Sequence, residues 1–268
     1  MNLMDQTFEV LKSQNRTALM PFLTVGDPDI ETTIEIIVQL EAAGADIIEL
    51  GVPYSDPLAD GPVIQRASQR ALKHGVTIRT CMETAVKARE SGVKMPFILF
   101  TYFNPVLQMG LDLFFKEVQT HEISGLIIPD LPIEESEDIR RRADEAGVSF
   151  IPLVAPTSNE RIEKIVSNAS GFVYCVSSLG VTGERSTFHQ GVEEFIQTVK
   201  KYTNIPVAVG FGISTNEQVA HFSQICDGVV VGSAIVREIE SVIPLLNDVN
   251  TRQKGLLQIR EFVAQLKA

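Results

Sequence analysis

A helix-length amphipathic stretch, a glycine and a short apolar run recur along the chain. The junctions read "EAAGADIIEL", "ESGVKMPFILF", "EISGLIIPD", "EAGVSFIPLV", "NASGFVYCV" and "CDGVVVG". Each glycine reads as a helix C-cap feeding a strand, because glycine takes the left-handed conformation that closes a helix without a Cβ clash. The apolar runs are rich in Val, Ile and Phe and do not alternate with polar residues. Both faces of such strands are buried, as in a parallel sheet covered by helices. "ALMPFLTVG" and "IPVAVGFG" bring the strands to eight, with helical segments such as "DIETTIEIIVQLEAA" and "IEESEDIRRRADEA" between strands. This alternation predicts an α/β fold, a (β/α)8 TIM barrel forming a single domain over residues 1–268. A doubly wound open sheet is the alternative, but its dinucleotide-binding form places GxGxxG after the first strand, where this chain has "TVGDPDIE". The segment "MDQTFEVLKSQ" reads as an extra N-terminal helix that plugs the N-terminal end of the barrel.

Strand starts read at Ala18, Asp46, Pro96, Ser124, Val148, Gly171, Ile205 and Gly228. Two intervals, about 50 residues from Asp46 to Pro96 and about 34 from Gly171 to Ile205, stand out against roughly 30 for a βαβ unit. Loops after barrel strands build the active face, so the surplus points to function.

Composition narrows the class. With 44% hydrophobic and 21% charged residues among 268, a sizeable core is available. A net charge of −11 argues against nucleic-acid or anionic-membrane surfaces, which call for clustered Lys and Arg. No apolar run approaches the roughly 20 residues of a membrane helix, and the N-terminus has Asp5 and Glu9 where a signal peptide would be basic. Cys81, Cys175 and Cys226 are scattered and odd in number, which fits a reducing compartment and a cytoplasmic location.

The larger surplus holds "ADIIELGVPYSDPLADGPVIQRA" and two candidate catalytic acids. Glu49 interrupts an apolar strand near its C-terminal end, where barrel side chains project into the site. The competing reading is a solvated rim residue or an ion-pair partner. Asp60 precedes the helix expected to begin at Pro62, and the N-cap of that helix is its competing reading. As a pair on the active face they divide protonation roles by environment. Gly180 and Gly183 in "LGVTGERS", Gly210 and Gly212 in "VGFGIS", and Gly232 with Ser233 in "VVVGSAIV" fall on adjacent loops. Their backbone amides and a helix N-terminus cradle a phosphate without lysine. Phe22, Phe100, Tyr102, Tyr174 and Phe211 line a flat pocket beside the acids in the same reading, although barrel core is the commoner fate of any one of them. Together these features point to an aromatic phosphate ester. No lysine ends a strand, which disfavours a Schiff base. His74, His121, His189 and His221 fall in helices or outer loops, which disfavours a metal centre. Metal-free acid–base chemistry is expected. Asp130 in "IIPDLPIEES" is kept for a loop or helix-start role, or for a place behind the site.

The segments "FLTVGDPD", "IIELGVPYSDPLADGPVIQ", "TYFNP", "GLIIPDLP", "SSLGVTG", "VGFGIS" and "VVVGSAIV" together, in order, resemble the tryptophan synthase alpha subunit family over nearly the whole chain. The run from Glu49 to Gln65 is the most specific of them. The resemblance implies retro-aldol cleavage of indole-3-glycerol phosphate to indole and glyceraldehyde 3-phosphate, with Glu49 and Asp60 as the catalytic acids. It implies no cofactor in this chain. Pro53, Tyr54, Pro57 and Leu58 read as an exposed, partly apolar loop suited to docking a partner, which the resemblance identifies as a pyridoxal-phosphate beta subunit in an alpha-beta-beta-alpha assembly. Thr182 matches the family residue near the catalytic acid and is a candidate for holding the loop after strand six over Asp60. Ser178 is a departure, standing where better-known members carry arginine. The alternatives are an indole-glycerol-phosphate synthase, which would want strand-end lysines, and a non-catalytic metabolite-binding barrel.

Overall fold

The computed structural model describes residues 1–167, 169–176, 191–210 and 212–267. The chain opens with α1 (Leu3–Ser13), β1 (Ala18–Thr24), α2 (Ile30–Ala42) and β2 (Ile48–Gly51). Two helices follow, α3 (Pro62–Leu72) and α4 (Ile78–Glu90), then β3 (Phe97–Phe100), α5 (Phe103–Met109), α6 (Leu111–Thr120) and β4 (Gly125–Ile127). Next come α7 (Glu137–Ala146), the short strands β5 (Ser149–Phe150) and β6 (Leu153–Val154), α8 (Ile162–Val166) and β7 (Val173–Val176). The rest is α9 (Val192–Lys201), β8 (Val207–Gly210), α10 (Asn216–Ser223), β9 (Gly228–Val231), α11 (Ser233–Leu246) and α12 (Arg252–Lys267).

All pairings are parallel, and the sheet order runs β5-β4-β3-β2-β1-β9-β8-β7-β6. Its two ends, β5 and β6, are halves of one strand interrupted at Ile151–Pro152, so the ring closes as a (β/α)8 barrel. Pairing changes sides at the break: Ile151 N–H donates to Leu126 of β4, while the Pro152 carbonyl accepts from Tyr174 of β7. Proline has no N–H to continue a ladder, which is why the fifth strand is split.

Two apolar layers result. Residues such as Leu19, Leu23, Ile48, Leu50, Phe97 and Leu99 pack between strands and helices. Met20, Phe22, Ile47, Ile98, Ile127, Phe172 and Ala208 fill the barrel interior. Met4, Phe8 and Leu11 of α1 belong to the interior layer, with the Phe8 and Phe172 rings 5.7 Å apart, so the N-terminal helix closes one end as expected.

The expected strand starts fall within two residues of those observed. Asp46 stands just before β2, its amide donating to the Leu19 carbonyl while its carboxylate accepts from Leu19 N–H at 3.0 Å and pairs with Arg16 and Lys267. The C-cap reading of the glycines fails at three of six. Gly44, Gly92 and Gly147 stand at or just past a helix C-cap with positive φ, whereas Gly171 lies four residues beyond Ser167, the C-cap of α8, and Gly125 and Gly228 open strands. There it is the missing Cβ that is used: at Gly125 it would lie 2.8 Å from Ile151 Cδ1. Among the described residues, no helix is long and apolar enough to cross a membrane.

Candidate active site

Glu49 faces Phe22 of β1 and Ile98 of β3 in the ladder. Its neighbours Ile48 and Leu50 point to the helix layer and Ile47 to the interior, so period-two alternation turns Glu49 inward. It is 1% exposed, which excludes the solvated-rim reading. Among the described residues its Oε1 has no hydrogen-bond partner. Burial alone pushes the carboxyl up to about 8, so it is protonated at neutral pH.

Asp60 lies between β2 and α3, buried at 7% exposure. The N-cap of α3 is Gly61, with Pro62 in the first turn and no side-chain cap bond, so Asp60 is not the cap. Its backbone carbonyl accepts from Gln65 Nε2 at 2.8 Å. Its carboxyl is raised to about 6 by burial, offset in part by a hydrogen bond from Tyr102. The two acids therefore carry opposite charge states near pH 7.

One cavity is lined by Phe22, Glu49, Asp60, Ile64, Phe100, Tyr174, Gly212, Val230, Gly232 and Ser233. Phe22 and Phe100 meet edge to face, with ring centroids 5.6 Å apart. The far end is the N-terminus of α11, where Gly232 stands at the cap position with no side chain bonding the first-turn amides. Such amides, with the helix dipole behind them, make an anion seat. Ile64 and Val230 complete the walls and escaped the sequence reading. Their signal was Ile64's place two residues into the helix behind Asp60, and Val230's inward parity in "GVVVG".

The helices carrying these groups are clamped together. Arg70 of α3 bonds Asp27 after β1 at 2.7 Å and Glu240 of α11 at 2.6 Å, and Arg66 joins Glu240 at 2.6 Å. These guanidinium groups bring the Glu240 carboxyl down to about 2.

Other expected residues fall elsewhere. Tyr102 does not line the cavity; it stands behind Asp60, with its hydroxyl accepting from Ala59 N–H at 2.9 Å. Asp130 has a helix-start role, but at α5 and not in its own segment: its carboxylate accepts from Phe103 N–H at 2.9 and 3.2 Å. In the loop expected to be exposed, Pro53 is buried, Tyr54 and Pro57 are half-buried, and Leu58 is exposed. Ser178, Gly180, Thr182, Gly183, His189 and Phe211 lie outside the described residues. Among the described residues, no group of three or more His, Cys, Asp or Glu is placed to hold a metal ion.

The model of the family described as tryptophan synthase alpha chain matches residues 8–268. A tryptophan synthase alpha chain of Bacillus pumilus (strain SAFR-032) is 54% identical over 261 residues, 97% of this chain and 96% of that one. One from Thermoanaerobacter sp. (strain X514) is 50% identical, covering 100% and 99%. Among solved structures, a Mycobacterium tuberculosis tryptophan synthase chain superposes with a TM-score of 0.87 at 35% identity, covering 99% and 97%. The alpha subunit from Legionella pneumophila str. Paris gives 0.85 at 34%, covering 98% of both chains. A parallel barrel with two buried acids beside a helix N-terminus, matched at this depth over nearly its full length, belongs to the tryptophan synthase alpha chain family, lyases that cleave indole-3-glycerol phosphate to indole and glyceraldehyde 3-phosphate.

Proposed function

We propose that in this chain the cleavage is carried by Glu49 and Asp60, without a cofactor. One observation supports the reading above the rest: a protonated carboxyl and an ionised one share an aromatic-walled cavity with an uncapped helix N-terminus. The ester's phosphate takes the α11 amides at Gly232 and Ser233, with Gly212 beside them. The indole lies between Phe22, Phe100 and Tyr174. Neutral Glu49 donates its proton to indole carbon 3. Ionised Asp60 accepts a hydrogen bond from the ring N–H and stabilises the positive charge that spreads there. With carbon 3 protonated, the bond to the glycerol chain breaks as the side-chain hydroxyl becomes an aldehyde and gives its proton back to the Glu49 carboxylate. Proton and charge balance, and Glu49 ends as it began. General acid–base steps of this kind typically contribute about 10²–10⁴-fold.

The experiment is indole release from indole-3-glycerol phosphate by Glu49→Gln and Asp60→Asn. Both changes are near-isosteric, so the expected result is a loss of at least about 100-fold in kcat with the ester still bound. Near-normal turnover in Glu49→Gln would sink the proton-shuttle role.

The same proposal includes docking to a pyridoxal-phosphate beta subunit through the loop before α3, where Leu58 is 77% exposed on the segment that carries Asp60. Docking that orders this segment raises kcat. Equal rates with and without the cognate beta subunit, once complex formation is demonstrated, would remove the coupling. A cytoplasmic location belongs to the same reading; the free, buried Cys81, Cys175 and Cys226 accord with it.

A further inference from the structure

Asp60 and the anion seat of α11 stand on different elements, and polar side chains of α3 join the two. Gln65 donates from Nε2 to the Asp60 carbonyl at 2.8 Å, which ties the backbone of the acid to the start of α3. Arg66 and Arg70, four residues apart on the same helix, share a face. Arg66 gives Nε and Nη2 to the two oxygens of Glu240 on α11 at 2.8 and 2.6 Å, and Arg70 adds Nη1 at 2.6 Å. The rest of the Arg70 fork, Nε and Nη2, takes both oxygens of buried Asp27 after β1, at 2.7 and 2.9 Å. Glu240 lies about two turns along α11 from Ser233, the first residue of that helix.

These bonds specify geometry more than they add stability. The Arg66 and Glu240 side chains are 49% and 25% exposed, and ion pairs so open to water contribute little to the fold. Val63, Ile64 and Ala67 of α3 and Val236 of α11 already belong to one apolar cluster. Forked guanidinium–carboxylate bonds add direction to that packing, and here they fix where α11 sits along α3. Ile64 is at once part of this seam and part of the cavity wall.

We propose that Glu240, held by Arg66 and Arg70, is a positioning residue that sets the spacing between the phosphate seat and Asp60. An ester anchored by its phosphate on α11 then presents its ring N–H in register with the Asp60 carboxylate. The binding energy of a remote phosphate speeds the reaction only when it holds the reacting end in place. This role rests on the reading of α11 as the phosphate seat and of Asp60 as the acceptor for the ring N–H.

The experiment compares indole release from indole-3-glycerol phosphate and from indole-3-glycerol, the same compound without its phosphate. The second compound has no anchor on α11, so the spacing of α3 and α11 does not govern its placement. Glu240→Gln weakens the link between the helices and leaves the Arg70–Asp27 pair intact. The expected result is a fall of about tenfold in kcat for the phosphate ester, with its KM and both constants for indole-3-glycerol within about twofold of the parent. Arg70→Lys keeps a charge beside Asp27 but cannot fork to both carboxylates, so it should give the same split and supplies the readout if Glu240→Gln fails to fold. A network that only stabilises the fold would lower turnover of both compounds together or of neither. Either result, with Asp60→Asn inactive and the parent binding the ester more tightly than indole-3-glycerol, overturns the proposal alone. So does a rise in KM for the ester at unchanged kcat, which would make Glu240 a support for phosphate binding only. Equal KM for the two compounds in the parent would instead overturn the α11 seat, and full turnover by Asp60→Asn the reading of Asp60; the role of Glu240 falls with either.

Discussion

Two carboxyls in one cavity take opposite charge states because burial acts on them unequally. Glu49 has burial without compensation and rises to about 8, while Asp60 has burial offset by the Tyr102 hydroxyl and stops at about 6. The proposed cleavage needs Asp60 ionised and Glu49 protonated. The kcat/KM profile should therefore be bell-shaped, with an acid limb near 6 where Asp60 protonates and an alkaline limb near 8 where Glu49 ionises. A plateau running unbroken from pH 5 to 9 would contradict both assignments. Linkage gives Glu49 a second signature. Its folded-state pKa lies above the ordinary 4.5, so the folded protein binds a proton that the unfolded chain releases. Stability from this group is full below about 4.5 and is lost as pH rises toward about 8. Glu49→Gln removes that loss, so it should be the more stable protein at pH 8 and gain little at pH 4.5. The difference should be on the order of a few kcal/mol, at 1.36 kcal/mol per pKa unit, read from urea midpoints at the two pH values. Glu49 was legible in the sequence because an acid inside an apolar strand is conspicuous. The Tyr102 contact was not, since Ala59 and Tyr102 are 43 residues apart and no local pattern joins them.

At the scale of elements, adjacent strands shape the cavity wall through what they omit. A Cβ at Gly51, the last residue of β2, would lie 2.4 Å from Phe22 Cζ and 2.9 Å from the Leu23 carbonyl oxygen. A stiff ring and a backbone atom cannot both yield, so Gly51→Ala should drive Phe22 into the space for the indole. The expected outcome is a rise in KM of about tenfold or more with Glu49 chemistry retained, checked by steady-state kinetics of indole release. An unchanged KM would mean that the Phe22 ring does not bound the substrate. The strands were legible because a sheet buried on both faces needs continuous apolar runs, and "GVVV" or "FILF" meets no other demand. The split at Pro152 was legible only as a proline in a strand. Which side each half pairs with depends on β4 and β7, far away in the chain. The glycines were misread at Gly125, Gly171 and Gly228 for a related reason: a helix cap and a close-packed backbone position both select glycine, and only the tertiary neighbours distinguish them. The larger oversized unit, after β2, proved to be a loop plus an extra helix, α3, and that helix carries the Arg70 and Arg66 contacts to Glu240.

Over the whole molecule, stability and chemistry separate along the barrel axis. The acids, the aromatic walls and the α11 N-terminus gather where the strands end, while α1 packs into the interior from the opposite end. Barrel folds in general keep catalysis at the C-terminal face and leave the N-terminal face to stability. In this chain the division can be tested with one side chain. Phe8 is 5% exposed and meets Phe172 at 5.7 Å, and Phe172 in turn lies 6.1 Å from Tyr174, a residue of the cavity wall. Phe8→Ala leaves a hole that α1 cannot refill, since Met4 and Leu11 are already buried on the same face. Buried Phe→Ala changes cost about 3–5 kcal/mol, so the urea midpoint should fall clearly. The aromatic chain from Phe8 through Phe172 to Tyr174 is a direct route by which that hole could reach the site. If α1 acts only as a plug, kcat and KM at a temperature well below the new midpoint stay within about twofold of the parent. A large loss of kcat in folded Phe8→Ala would show that packing at the closed end sets the position of Tyr174, and that the two ends of the barrel are not independent.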